Sequence, residues 1–268
     1  MVSLHSPKYA LVTGATSGIG YELAKLFAAD GYNLVIVART EADLQRTATE
    51  FSNNFSITVI PIAKDLSERV APFEIYDDIR HRGIQIDVLV NDAAQGLFGK
   101  FVETDLQREL EMLNLNIGAY IVLTKLYLRE MITRRDGKIL NVASIAGKVP
   151  GPYQAVYHGT KAFIHSFTEA IRAELGDDSG ISTTSLLPGA TDTDFFRKAN
   201  MEDSKILQQE LADPAKVAKD GFDALMRGDD MVISGLKNKA QIAASSITPD
   251  KFVAKAMMKQ QEPRGNSN

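Results

Sequence analysis

The 268-residue chain contains no cysteine. That excludes thiol nucleophiles, cysteine metal sites and redox switching, and it fits a reducing compartment. There is no basic surplus either. Thirty Lys and Arg against 34 Asp and Glu leave a formal net charge of -4, which argues against a nucleic-acid partner. Long apolar runs are missing: the most apolar helical stretch, residues 117–128, is interrupted by Lys125 and is too short to span a bilayer. Residues 1–7 lack the basic-then-apolar order of a secretory signal. The expectation is a cytoplasmic protein with no membrane partner and no metal. No linker, repeat or low-complexity block marks a boundary, so one domain is expected over residues 1–268. A chain of this length can bury a full core without disulfides or a structural metal.

What is present has a strong order. Residues 9–13 (YALVT), 33–38 (NLVIVA), 57–62 (ITVIPI), 87–91 (DVLVN), 137–142 (GKILNV) and 181–187 are short, continuous apolar runs. Residues 231–234 could add a last short strand. Helical patterns separate them at 21–29, 41–51, 74–82, 105–134, 153–175 and 215–226. Continuous rather than alternating runs read as strands covered on both faces. Repeated β-α order then predicts an α/β protein: a single doubly wound, Rossmann-like domain whose parallel sheet is flanked by helices on both faces. Residues 190–211 have no regular pattern and are expected to form a mobile lid over a site. The apolar Phe195, Phe196, Met201, Ile206 and Leu207 are its candidate inner surface, with Val149, Pro150 and Tyr153 opposite. The polar tail 262–268 is expected to be disordered.

The first strand runs into Thr13-Gly14-Ala15-Thr16-Ser17-Gly18-Ile19-Gly20. Glycines let such a turn bend tightly and approach a ligand. The helix that follows offers free N–H groups and partial positive charge to a pyrophosphate. The second strand ends at Ala38 with Arg39 next. An acid there would suit the ribose hydroxyls of NAD. A guanidinium instead suits a 2′-phosphate, so NADP is the expected cofactor, although a solvated surface role is commoner for a single arginine.

Tyr157 and Lys161 lie four apart in a helical stretch, hence on one helix face. A lysine ammonium favours the phenolate and lowers a tyrosine pKa, which makes the pair an acid/base device. Ser144 follows the strand 137–142, at the sheet edge where ligands of open α/β sheets bind. Its hydroxyl could bond a substrate oxygen as charge develops; a turn or cap is the commoner role of one serine. His158, beside Tyr157, points about a quarter-turn away on a regular helix and reads as structural or substrate-flanking.

These residues together resemble the short-chain dehydrogenases/reductases. The T-G-x-x-x-G-I-G turn is Thr13 to Gly20, and Ser144 stands thirteen residues before the Tyr157 of Y-x-x-x-K. The family's helix asparagine matches Asn116, with Asn114 a competing candidate. Its P-G pair is Pro188-Gly189, with Thr193 beyond. The resemblance spans roughly residues 8–235. It implies Tyr157 as catalytic acid/base, Lys161 as its pKa-lowering partner and ribose ligand, Ser144 on the substrate carbonyl, and Asn116 supporting a proton-relaying water. It implies cofactor contacts from Gly14, Thr16, Ser17, Gly18, Ile19, Gly20, Arg39, Asp65, Leu66, Asn91, Ala93, Pro188, Gly189 and Thr193. It further implies a small-molecule carbonyl or alcohol substrate and a homodimer or homotetramer. The stretch after Gly235 would seal the pocket or join subunits. One motif departs: the family's N-N-A-G reads Asn91-Asp92-Ala93-Ala94. Ala94 adds a methyl beside the cofactor and Asp92 an acid at the sheet end, and neither is expected to touch the proton chemistry. Two other readings fit less well. A non-catalytic NADP-binding sensor would not need Ser144, Tyr157 and Lys161 together. A nucleotide-sugar epimerase needs a larger C-terminal part than follows Pro188.

Overall fold

The computed structural model describes residues 7–264. Seven strands form one parallel sheet in the order β3-β2-β1-β4-β5-β6-β7. They are β1 (Tyr9–Thr13), β2 (Asn33–Ala38), β3 (Val59–Ala63), β4 (Val88–Asn91), β5 (Gly137–Val142), β6 (Ile181–Leu187) and β7 (Met231–Ile233). The helices are α1 (Gly18–Ala29), α2 (Glu41–Phe55), α3 (Ala71–His81), α4 (Leu106–Leu113), α5 (Ala119–Arg134), α6 (Ala155–Leu175), α7 (Phe195–Lys198), α8 (Pro214–Arg227), α9 (Leu236–Ser246) and α10 (Asp250–Gln261).

The continuous apolar strands have the predicted consequence. Successive residues point to opposite faces, and both faces are covered. Ala10, Val12, Leu34, Ile36, Val88 and Val90 pack against Leu23 and Phe27 of α1, Phe51 of α2 and Leu225 of α8. Their strand neighbours Leu11, Val35, Val37, Leu89 and Ile139 pack on the other side against Ile75 and Ile79 of α3 and Leu123 and Tyr127 of α5. The strand order reverses between β1 and β4, and a crevice opens there at the carboxyl ends.

Four expectations need correction. Helix α2 runs a turn past residue 51, because the Phe55 ring packs on Phe51 with ring centroids 6.0 Å apart; Ser56 then closes it in the left-handed conformation at φ 55°. β3 consequently begins later than residue 57. The stretch 105–134 is not one helix, since a π-helical turn, Asn114–Gly118, separates α4 from α5. The segment 190–211 is not irregular throughout: it carries α7 and a 3-10 turn, Lys205–Gln208, around buried Phe196, Ala199 and Met201. Finally, the start of the tail is built in. Glu262 pairs with Lys205 at 2.5 Å, and the Arg264 amide donates to the Asp203 carbonyl at 2.6 Å. Residues 265–268 lie outside the described residues.

A polar ladder pins the middle of the sheet to both helices behind it. The Asn91 side-chain amide donates to Thr124 Oγ1 at 3.1 Å and Asn141 Oδ1 at 2.9 Å. Asn141 in turn donates to Thr168 Oγ1 at 3.0 Å. All four residues are buried, so removing one donor strands its partners without solvent. Asn91→Ala is expected to lower the unfolding free energy by about 2 kcal/mol, read as a shift in the urea midpoint.

Candidate active site

The crevice is a cavity of about 1190 Å³ at the carboxyl edge of the sheet. Gly14, Thr16, Ser17, Gly18 and Ile19 line it at one end, with Arg39, Asp65, Leu66 and Ala93 beyond, and Ser144, Tyr157, Lys161, Pro188, Gly189 and Thr193 at the other. Gly20, Asn91 and Asn116 do not line it. Asn91 lies inside the sheet on the ladder above. Gly20 faces protein: a Cβ there would stand 2.5 Å from Asp92 Oδ2 and 2.5 Å from the Gly14 carbonyl. Both residues are held by packing within the protein.

The glycine turn is held by Thr13, whose hydroxyl accepts from the Asp92 and Ala93 amides at 3.0 and 3.1 Å and donates to the Val90 carbonyl at 3.3 Å. Gly14 takes φ +73°, and a Cβ there would sit 3.1 Å from the Ala93 Cα. Gly18, at φ +58°, leaves only 2.8 Å between such a Cβ and the Thr193 methyl. Ser17 does not cap α1 with its own side chain and the first turn carries no acid of its own; the Asp92 carboxyl faces the Gly20 amide, and the amides before it remain for an anion. Arg39 is exposed and enters no ion pair among the described residues. The phosphates of a nicotinamide dinucleotide fit this donor set. Asp65 binds the amide and hydroxyl of Ser67 at 2.9 and 2.7 Å; the cap of α3 is Val70.

At the other end, Ser144 leaves β5 and its hydroxyl accepts from the Ala146 amide at 3.0 Å and lies 3.3 Å from the Pro188 carbonyl. Thus it fills the turn role, and it lines the cavity together with Tyr157. The π-helical turn rotates Asn116 inward, where it exchanges hydrogen bonds with the Gln95 backbone at 3.0 and 2.9 Å and donates to Thr160 Oγ1 at 3.1 Å. Asn114 instead borders a separate surface groove with Ser67 and Gln107.

Lys161 is buried, donates to the Val142 carbonyl at 2.8 Å and lies 5.9 Å from the Tyr157 ring centre. Burial pushes its ammonium down from the ordinary lysine range, while the charge of Asp92 pushes it back up. The same Asp92 is driven well above the carboxylate range by burial, with Lys161 and the Gly20 amide opposing. Tyr157 differs from expectation. Burial raises its hydroxyl pKa, Ser144 lowers it and Asp92 raises it again, so in the free protein burial outweighs the one group that lowers it. Position 92 thus does reach the proton chemistry, contrary to the reading of the sequence alone.

The inner surface of the segment 190–211 divides. Phe195, 5.0 Å from the Tyr157 ring, Phe196 and Ile206 face the cavity; Met201 and Leu207 pack beneath. Val149 faces it from the other side, whereas Tyr153 stacks on Phe98 at 5.6 Å. His158 borders the cavity and is fastened on both ring nitrogens. Its Nδ1 is 2.9 Å from the Val149 carbonyl, and Gln261 Nε2 is 3.0 Å from its Nε2. The Gln261 carbonyl receives the Ser204 hydroxyl at 3.0 Å. The last helix therefore ties the segment 190–211 to the neighbour of Tyr157, a link that sequence reasoning missed because its partners are more than fifty residues apart with no motif between them.

An open parallel sheet with a glycine turn at one end of its crevice and a Ser-Tyr-Lys cluster at the other defines an oxidoreductase of the short-chain type. The chain belongs to the short chain dehydrogenase family, whose sequence profile matches residues 8–204. An uncharacterized oxidoreductase of Staphylococcus saprophyticus is 32% identical over 72% of this chain and 82% of its own. A very-long-chain 3-oxoacyl-CoA reductase of Anas platyrhynchos is 35% identical over 67% of this chain and 58% of its own. A short-chain dehydrogenase from Sphingobium yanoikuyae, solved in complex with NADPH, superposes with a TM-score of 0.81 at 25% identity, covering 97% of this chain and 99% of its own. No described helix is long and apolar enough to cross a membrane.

Burial holds His158 below the ordinary histidine range, so the unfolded chain takes up a proton that the folded one refuses. Stability is then present above about pH 6.5 and is lost as pH falls below it. His158→Ala is expected to melt lower at neutral pH, to lose less on acidification and to expose the segment 190–211 to protease. Melting curves across pH and timed trypsin digestion check this.

Proposed function

We propose that the protein is an NADPH-dependent reductase of a partly hydrophobic ketone or aldehyde. The observation that carries this reading is that Ser144 and Tyr157 line the same cavity wall, with the buried Lys161 ammonium 5.9 Å from the Tyr157 ring centre. In this reading the glycine turn and the first turn of α1 hold the pyrophosphate, Arg39 the 2′-phosphate, and Asp65 and Leu66 the adenine. Lys161 and Tyr157 hold the nicotinamide ribose, while Pro188, Gly189 and Thr193 orient the carboxamide. The bound dinucleotide supplies the hydride.

Ser144 and Tyr157 together grip the carbonyl oxygen, and Tyr157 gives up its proton as negative charge develops there. A raised hydroxyl pKa suits this direction, because the phenol stays protonated at neutral pH. Alcohol oxidation would need the phenolate and would gain rate as pH rises. Lys161 replaces the lost proton's charge and is itself kept dry by the Tyr120 ring, 5.8 Å away. The apolar Phe195, Phe196, Ile206 and Met257 at the cavity support an alkyl or acyl tail on the substrate. The names of the long-chain 3-oxoacyl-CoA reductases among the relatives support a 3-oxoacyl thioester as a first candidate.

NADPH consumption with a panel of ketones, aldehydes and 3-oxoacyl thioesters tests the reading. Tyr157→Phe is expected to cost about 10³-fold in kcat. Arg39→Ala is expected to weaken NADPH about tenfold or more and leave NADH unchanged. Turnover retained in Tyr157→Phe, or a wild-type preference for NADH, would sink the corresponding half.

A further inference from the structure

The carboxyl of Asp92 is placed where the site has least use for a negative charge. It crosses from the end of β4 onto the β1–α1 turn and lies in the space that Gly14 and Gly20 leave open; a Cβ on either would stand 3.0 or 2.5 Å from its Oδ2. That turn and the start of α1, which Ser17 does not cap, are the anion-binding end of the cavity in the NADPH reading. On its other side the carboxyl faces Lys161 and Tyr157 of α6 and Tyr120 of α5. From the β1–α1 turn and α1 it meets the backbone of Gly14 and the Gly20 amide, which partly satisfies it. Asp92 therefore stands between the place for two phosphates and the buried lysine, where the family motif has a neutral amide of the same shape.

We propose that Asp92 takes up a proton when the dinucleotide binds, which makes cofactor affinity proton-linked through this one carboxyl. The inference rests on the NADPH reading above. The physical reason is charge. Pyrophosphate anions on the first turn of α1 raise the cost of a second, fixed anion in the same turn, and the least costly relief is to neutralise Asp92 in place. Its burial already favours the acid form in the free protein. The sign follows. Affinity is greatest where Asp92 is protonated before binding, and it falls as pH rises through the titration of the free protein. It levels off above the pKa of the complex. One linked proton changes the dissociation constant by up to tenfold per pH unit. NADP+ brings a cationic ring toward Lys161 and Tyr157, so its linkage is weaker than that of NADPH.

The test is NADPH titration of the full chain, followed by nicotinamide fluorescence from about pH 7 to about pH 9, above the cofactor's own 2′-phosphate titration near ~6. Asp92→Asn runs beside it. The wild-type dissociation constant is expected to rise about tenfold or more over that window, while the variant binds tightly and stays flat. Calorimetry of the wild-type chain in two buffers of different ionisation enthalpy counts the protons directly and does not depend on the variant folding. Uptake of a large fraction of one proton near neutrality supports the inference. Parallel pH curves for the two proteins, or no proton uptake by the wild type, overturn it while leaving the NADPH reading intact. If neither protein binds NADPH at any pH, the cofactor reading itself fails and takes the inference with it.

Discussion

The turn after β1 and the end of β4 approach so closely that neither Gly14 nor Gly20 has room for a Cβ. Thr13 fixes that approach by bonding two amides and a carbonyl of the neighbouring strand end. The rest of the site is referred to this junction. It sets where α1 begins, so it sets where an anion can be held. It also brings the β4 end against the turn, and with it the carboxyl that α6 feels through Lys161. The glycines are thus needed at least as much for contact within the protein as for contact with a ligand.

The electrostatics follow from the same packing. Lys161 is buried with one carbonyl partner, and Asp92 is the anion that acts on it among the described residues. Each holds the other closer to its charged form against burial. Tyr157 sits beside this pair and is governed mainly by its own burial. A lysine four residues along a helix is therefore insufficient by itself to make a base of a tyrosine. Whatever cation or anion occupies the cavity will shift the balance among all three groups together.

Much of this was legible in the sequence because it is local. β1, β2, β5 and β6 announce themselves as continuous apolar runs between helical stretches, and their bounds agree with the structure. The turn, Ser144, Tyr157 and Lys161 follow from spacing. The failures have a common cause, which is that their determinants are distant in sequence. The π-helical turn at Asn114–Gly118 leaves the apolar pattern of 105–134 nearly undisturbed and shows only in how Asn116 meets Gln95 and Thr160. Asn91 belongs to a motif that names it as a cofactor contact, yet its partners Thr124 and Asn141 keep it inside the sheet. The fastening of 190–211 by Gln261 and Glu262 depends on residues of the polar end, which composition alone marks as free.

The π-helical turn also bears on which genetic changes this protein can absorb. Such a turn holds one residue more than the α-helix it interrupts. On α4, Glu109 and Met112 point inward while Leu106, Leu110 and Leu113 are exposed, so substitutions along its outer face touch little. Loss of a single codon within 114–118 is another matter. It would restore an unbroken α-helix with α4 and α5 still facing as they do, because the wider turn sweeps with one extra residue nearly the angle the α-helix sweeps without it. The loss falls on the turn itself, where Asn116 would leave Gln95 and Thr160. The outer face of α4 is open to change in its letters, while the turn is held to its length by that one asparagine.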